Sequence, residues 1–270
     1  MATDAVRRVI EHLQSNPETA GLAGPVSVRL VFSDLRKRSS EFHRVLVQHR
    51  RGVTPCWIKI VKNKPREDIH RSLTKQHRVM RELWEHFSEH PGGDPLLGTC
   101  KPLALLPEFD ALVTRECRGE LMNRVLVRSI PWFHGRRILE YCRGAGVWLR
   151  RFHEYYRHAG RSEEADGFPT LCHTDYSPRN IFVSPGLVEV IDFVGVKEGR
   201  SNTDVAFFLD YIRTARFNGL YWRGIKREMA RAFLAGYENA APVAAGNALP
   251  AASARGAGSY FRETECRGRV

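Results

Sequence analysis

The sequence predicts an α+β fold that opens with a small antiparallel sheet and one long helix and closes with a mainly helical half. Three observations carry this. Short β-rich runs joined by polar turns follow one another before residue 62, the pattern of a meander. An unbroken helical stripe then runs from about 67 to 90. Late in the chain two short strands flank the turn Ser184-Pro185-Gly186, with helical patterns on either side. A chain of 270 residues suits one large domain or two small lobes.

The first helix is expected over Ala5 to Leu13, with Val6, Ile10 and Leu13 inward, ending near Asn16-Pro17. Three strands follow: Val26 to Phe32, Phe42 to Gln48 with Val45 and Val47 on one face, and Trp57 to Val61. The connection Ser33 to Glu41 has no glycine, so it is not a glycine-rich phosphate loop, although Ser39 and Ser40 can offer hydroxyls and N–H groups to phosphates. Lys59 lies between Ile58 and Ile60 and so points to the opposite face. Taken alone it reads as a surface lysine. On the long helix, Ile69, Leu73, Met80, Leu83 and Phe87 form the buried stripe, and Gln76 is its one polar member. Pro91 to Pro95 is a loop by composition. Leu103 to Leu106 and Ala111 to Thr114 read as two strands around Pro107-Glu108, the second leading into Arg115 to Leu121. A long helix is expected over Arg136 to Tyr156, with Ile138, Cys142, Ala145, Leu149 and Phe152 on one face. Gly144 and Gly146 weaken it but permit close packing. His153 on this helix reads as a packed or capping histidine. A helix opens at Asn202, where Asp204 has the plain alternative of an N-cap, and helical patterns continue to about Tyr237. The Ala/Gly/Pro/Ser-rich stretch from 240 is expected to be a flexible tail.

The chemistry concentrates in His173-Thr174-Asp175-Tyr176-Ser177-Pro178-Arg179-Asn180 and Ile191-Asp192-Phe193. Asp175 is a candidate proton acceptor. Asn180 and Asp192 are candidate metal ligands, an amide oxygen and a carboxylate of the kind that hold Mg²⁺. The hairpin between them places both at its open end, so they can share one ion without long-range coincidence. Nucleotide-dependent phosphoryl transfer needs such a set: a group that orients the attacking hydroxyl and a metal beside the phosphates. Arg179 reads equally as a partner for the moving phosphoryl group and as a surface arginine. His173 reads as a loop organiser bonded to backbone near Asp192, and Pro178 stiffens the loop.

The spacing H-x-D-x-x-x-x-N, then a hairpin, then D-F, resembles the protein-kinase-like superfamily. Within it the chain looks most like the aminoglycoside phosphotransferase and choline kinase branch that phosphorylates small molecules. The resemblance covers about Val26 to Tyr237 and implies a two-lobed fold: a nucleotide-covering lobe over 1–115, a catalytic and acceptor lobe over 116–239, and a tail over 240–270. It implies that Lys59 holds nucleotide phosphates, with Gln76 in the place of the family's helix glutamate. Glu82 is the nearest acid but lies off the stripe. It further implies that the backbone around Glu116 and Cys117 meets the adenine, with Gly119 turning the chain. Asp175, with Arg179, would be catalytic. Asn180 and Asp192 would ligate Mg²⁺, and Asp204 would bond the catalytic-loop backbone. ATP and Mg²⁺ are the implied cofactors, and the hydroxyl of a sugar, amino sugar, amino alcohol or glycan headgroup is the implied acceptor. Three positions depart from the family pattern: Thr174 replaces a glycine, Val194 follows Asp192-Phe193, and Gln76 replaces glutamate.

Composition bounds the alternatives. A hydrophobic share of 43% and a charged share of 27% are ordinary for a globular chain. No apolar run is long enough to span a bilayer, and the first residues do not read as a signal peptide. The six cysteines are scattered without a C-x-x-C pair, which favours reduced thiols and a cytoplasmic location over zinc or disulfides. The net charge of +12 suits an anionic partner, including peripheral contact with an anionic surface, and disfavours a polycationic acceptor; nucleic acid is not expected. Three rival readings stand: a protein kinase, disfavoured by the short interval from Asp192 to Asp204 and the lack of A-P-E; a lipid- or lipopolysaccharide-directed kinase; and a nucleotide-binding pseudokinase. The aromatics Trp132, Trp148, Tyr176, Tyr211 and Trp222 either stack on an acceptor or fill the core, with core the default.

Overall fold

The computed structural model describes residues 3–22, 24–35, 39–89, 96–157, 167–221 and 223–240. The stretch expected to be a tail lies, from 241 onward, outside the described residues, as do the loop 91–95 and Trp222.

Helix α1 (Asp4–Ser15) buries Val6, Val9 and Leu13, so Val9 rather than Ile10 completes its inner face. Then come β1 (Ser27–Asp34), β2 (Ser40–His49) and β3 (Gly52–Val61), longer than expected because the β2–β3 turn is tight and both strands pair along their full length. After α2 (Arg66–Glu89) and β4 (Leu96–Thr99), the strands β5 (Pro102–Leu106) and β6 (Ala111–Arg115) return to the first three. The result is an antiparallel sheet in the order β1-β2-β3-β6-β5. Alternation sorts β3 cleanly. Cys56, Ile58 and Ile60 join Val45, Val47 and Val113 in a core closed by α1, while Trp57 and Lys59 face the other way. On that second face Phe42 lies opposite Lys59, Arg44 opposite Trp57, and Leu112 on β6 opposite Lys59.

The buried stripe of α2 is Ile69, Leu73, Gln76, Val79, Met80, Leu83 and Phe87. Its apolar members pack with Trp148, Phe152 and Phe193 of the later half rather than with the α1 core. Strand β4 has no alternation to betray it in sequence. It is recruited by tertiary structure, pairing parallel to β10 (Leu187–Val190) in a second sheet, β4-β10-β9-β7, with β9 (Ile181–Ser184) and β7 (Glu120–Leu121). Thr99 Oγ1 donates to Val190 O at 2.7 Å and Trp148 Nε1 to Gly98 O at 2.8 Å, which fixes this crossing.

The later half adds α3 (Met122–Arg128), α4 (Pro131–Tyr155), the ribbon of β8 (Pro169–Cys172) and β11 (Lys197–Arg200), α5 (Asn202–Thr214) and α6 (Arg223–Glu238). Helix α4 starts at Pro131, earlier than its apolar stripe, because a proline is pre-shaped for a first helical turn. Gly146 has the expected use. A Cβ on Gly146 would sit 2.0 Å from Phe233 O, and one on Gly236 of α6 would sit 2.0 Å from Arg143 O. The two helices therefore touch backbone to backbone. Trp148 and Tyr176 are fully buried and stacked, ring centroids 5.7 Å apart, which settles them as core residues.

Candidate active site

The hairpin of β9 and β10 builds the site. Its ladder continues past the strands: Ile191 N donates to Asn180 O at 2.9 Å. Asn180 and Asp192 therefore flank the open end, as the turn chemistry predicts. The Asn180 amide nitrogen donates to Asp175 O and to Asp175 Oδ2, both at 2.9 Å. The second of these bonds orients the carboxylate of the exposed Asp175, and together they leave the amide oxygen as the Asn180 atom suited to a cation. Asp192 adopts φ +68°, a left-handed conformation costly for a non-glycine residue. The neighbour holds it there: Phe193 is completely buried against His173, Trp148 and Phe152.

Lys59 reaches this end of the hairpin from the sheet. Its Nζ donates to Asp192 Oδ1 at 3.1 Å and to Gln76 Oε1 at 3.3 Å, with 13% of its side chain exposed. The surface-lysine reading is therefore excluded. Gln76, not Glu82, partners Lys59, because Glu82 accepts from Tyr156 Oη at 2.7 Å instead. The neutral amide fills the acceptor position, and the ionic partner is Asp192.

Behind the loop stands a buried scaffold. His173 Nε2 bonds Ile191 O at 2.9 Å, the organiser role expected of it. Asp204 accepts from the N–H of His173 at 2.6 Å and of Thr174 at 2.7 Å, and from His153 Nε2 at 3.1 Å. His153 Nδ1 in turn meets Tyr237 Oη at 2.9 Å. Burial raises the Asp204 carboxyl, but the bonds from His153 and the His173 amide outweigh it and leave the group below the usual carboxylate range. Burial pushes His153 down against the pull of Asp204, so a neutral ring donating from Nε2 fits the network. Arg179 packs on Tyr211, its Nε 3.1 Å from the phenol oxygen, and Tyr211 Oη donates to Asn123 Oδ1 at 2.9 Å. This chain clamps α3 to the catalytic loop, as does the bond from Asn123 N to Pro178 O.

At the end expected to meet a nucleotide, Ser40 is corrected, and fewer groups around Glu116 are left to meet a base. Ser40 lies buried inside β2, paired to Val61, and Ser39 O is used by Lys62 N; the part of that connection at 36–38 lies outside the described residues. Glu116 N already donates to Pro55 O at 2.9 Å, and Arg118 N to Glu189 Oε2 at 2.7 Å. The Glu116 carboxylate is clasped by Arg44 through two bonds of 2.7 and 2.8 Å and by Trp57 Nε1 at 3.1 Å, and the Arg44 guanidinium holds it below the ordinary carboxylate range. The Cys117 thiol is pushed well up, foremost by its bond to Cys100 and by burial. What the sheet presents on the Lys59 face near the linker is thus a Trp57–Arg44–Glu116 cluster, with Phe32 edge-on to Trp57 at 6.5 Å. Period-two alternation from Lys59 already places Trp57 on that face; only the tertiary fold brings in Arg44 and Glu116. Gly119 behaves as expected: at φ +85°, a Cβ there would lie 2.5 Å from Val183 O.

An antiparallel sheet region carrying a strand lysine, one bridging helix, and a helical region whose hairpin bears the Asn and Asp define the protein-kinase-like fold. One solved structure has the same fold, and two others are similar more loosely. The gentamicin complex of APH(2")-IIa superimposes with a TM-score of 0.52 at 13% identity, covering 89% of this chain and 85% of that one. Amicoumacin kinase hAmiN, solved with AMP-PNP, Ca²⁺ and Ami, gives 0.47 at 13% identity over 89% and 79% of the chains. A choline/ethanolamine kinase family protein from Mesorhizobium loti gives 0.47 at 14% identity over 86% and 76%. No family model and no curated protein sequence matches the chain.

Proposed function

We propose that the chain is a phosphotransferase that moves the γ-phosphate of ATP to a hydroxyl of a small molecule such as a sugar, amino sugar, amino alcohol or glycan headgroup. One observation carries this reading: Asp175, Asn180 and Asp192 converge at the mouth of one hairpin, and Lys59 reaches the same place from the opposite sheet. Asp175 receives the acceptor hydroxyl and takes its proton, oriented for that task by Asn180. The Asn180 oxygen and the Asp192 carboxylate are hard oxygen donors that fit Mg²⁺. When bound, the ion would offset charge on the phosphates. Lys59 lies within one bond of Asp192 and is placed to neutralise phosphate oxygens. Arg179, held on Tyr211, serves the loop's attachment to α3 and lies one residue from Asn180. Glu116 and Cys117 meet the base only through groups other than the Glu116 amide, so the base rests against Trp57 and Arg44.

Calorimetric titration of ATP, with and without Mg²⁺, tests the reading beside Asp192→Ala. Binding that needs Mg²⁺ and is lost in the variant supports it. Binding indifferent to Mg²⁺ supports the pseudokinase instead, and the absence of binding under either condition overturns both.

A further inference from the structure

The surface beside the 173–180 loop carries an apolar and cationic patch that contains none of the residues assigned above to phosphoryl transfer. Helix α3 and the start of α4 expose Val127, Trp132 and Phe133, the two rings at 60% and 76%. Large apolar groups this exposed in so short a stretch mark an interaction site. Arginines surround them at 124, 128, 136 and 137, all exposed. Glu120 binds Arg128 and Glu140 binds Arg136. Among the described residues no carboxylate pairs with Arg124 or with Arg137, whose Nε bonds the neutral Tyr141 hydroxyl. The patch is therefore net positive. Between α3 and α4 opens a cavity of about 200 Å³, whose lining includes Glu120, Arg128, Ser129, His134 and Arg137. Glu120 neutralises Arg128 there, which leaves Arg137 as the cation and Ser129 as a hydroxyl donor for a phosphate.

We propose that this surface docks the protein on an anionic lipid bilayer, with Trp132 and Phe133 entering the interfacial zone and a lipid phosphate seated near Arg137 and Ser129. The chemistry favours a membrane over a protein partner. Indole and phenyl rings at the headgroup level, ringed by arginines, are the composition of an interfacial anchor. A protein interface can hold the same rings and arginines, but Arg124 and Arg137 without a carboxylate partner, on a chain of net charge +12, match an anionic surface. The position matters as well. Asn123, at the start of α3, is bonded to both Pro178 and Tyr211, so a docked membrane would lie next to the catalytic loop. Membrane docking does not depend on the phosphotransferase reading, and it is read out without turnover.

Co-sedimentation of the full chain tests the proposal, using vesicles of phosphatidylcholine alone and of phosphatidylcholine mixed with phosphatidylglycerol. Binding is expected only to the anionic vesicles and weakens as salt is raised. Trp132→Ser with Phe133→Ser weakens it about tenfold or more. Arg124→Gln and Arg137→Gln each weaken it about fivefold. All four side chains are exposed, so the fold survives, and unchanged circular dichroism checks this. Equal binding to both vesicles, binding to neither, or binding untouched by the double variant overturns the proposal. So does concentration-dependent self-association that the double variant abolishes while vesicles bind nothing, which makes the patch an interface between two copies.

Discussion

At the scale of single residues the site rests on side chains held by neighbours rather than by their own preferences. Asn180 positions Asp175 through its amide N–H groups, and Phe193 pins Asp192 in a left-handed backbone. Asp175→Ala is expected to lower turnover roughly 10²- to 10⁴-fold while leaving ATP affinity nearly unchanged, since the carboxylate acts on the acceptor. Steady-state kinetics beside calorimetry separates the two, and full activity in the variant would sink the mechanism. Trp57→Ala probes the correction at the nucleotide end. If the base rests on Trp57, the variant raises the ATP dissociation constant about tenfold, near the loss of one stacked ring. An unchanged constant would place the base elsewhere. These residues differ in how visible they were. Asp175, Asn180 and Asp192 were readable because short-range spacing puts them on turns, whereas Lys59 alone reads as a surface lysine and was marked only by the family resemblance. Arg44 and Glu116 meet only because β2 and the linker are brought together across β3, 72 positions apart in the chain.

At the scale of elements, close helix contact is the most exacting feature. Gly146 and Gly236 let α4 and α6 pack with backbone carbonyls where a methyl would stand. Gly146→Ala is expected to destabilise the protein by about 3 kcal/mol, because helix backbones cannot yield as a side chain does. Urea unfolding measures it, and a loss below about 0.5 kcal/mol would mean the helices separate easily. Gly135, on the same helix with nothing near its Cβ position, is the control. The long periodic helices, the meander and the catalytic hairpin were legible because their periods of 3.6 and 2 span whole elements. Strands β4, β8 and β11 were not. Each is four residues long and exists only because a partner strand arrives, β10 for the first and one another for the other two.

At the scale of the whole molecule, a buried acid–base pair ties the catalytic loop to stability. Asp204 has a folded carboxyl below its ordinary 3.8, and His153 a folded ring below its ordinary 6.5. The sign is the same for both. Once the pH drops below 6.5 the unfolded chain binds a proton at His153 that the folded chain refuses, and lower still the unfolded Asp204 does likewise. Stability is therefore full above pH 6.5 and falls as the solution is acidified. Urea midpoints are expected to decline between neutral pH and about pH 5, and His153→Gln should remove part of that decline, the rest coming from His43 and His77, which burial also holds low. A wild-type midpoint constant across the range would show that the pair does not titrate. Removing the charge by Asp204→Ala should cost about 3 kcal/mol, since two loop amides and the histidine lose a buried acceptor together.

The sequence by itself determined the α+β class, the order of the main elements and the grouping of Asp175, Asn180 and Asp192 around one hairpin. Those follow from local periodicity and from a hairpin whose geometry is set by a few adjacent residues. Only the tertiary structure decided that Lys59 is bound to Asp192 and Gln76, that Glu116 is locked to Arg44 and Trp57, and that β4 joins the second sheet. These contacts join segments far apart in the chain. Their partners are chosen by which buried faces must close on one another, and no local pattern encodes that choice.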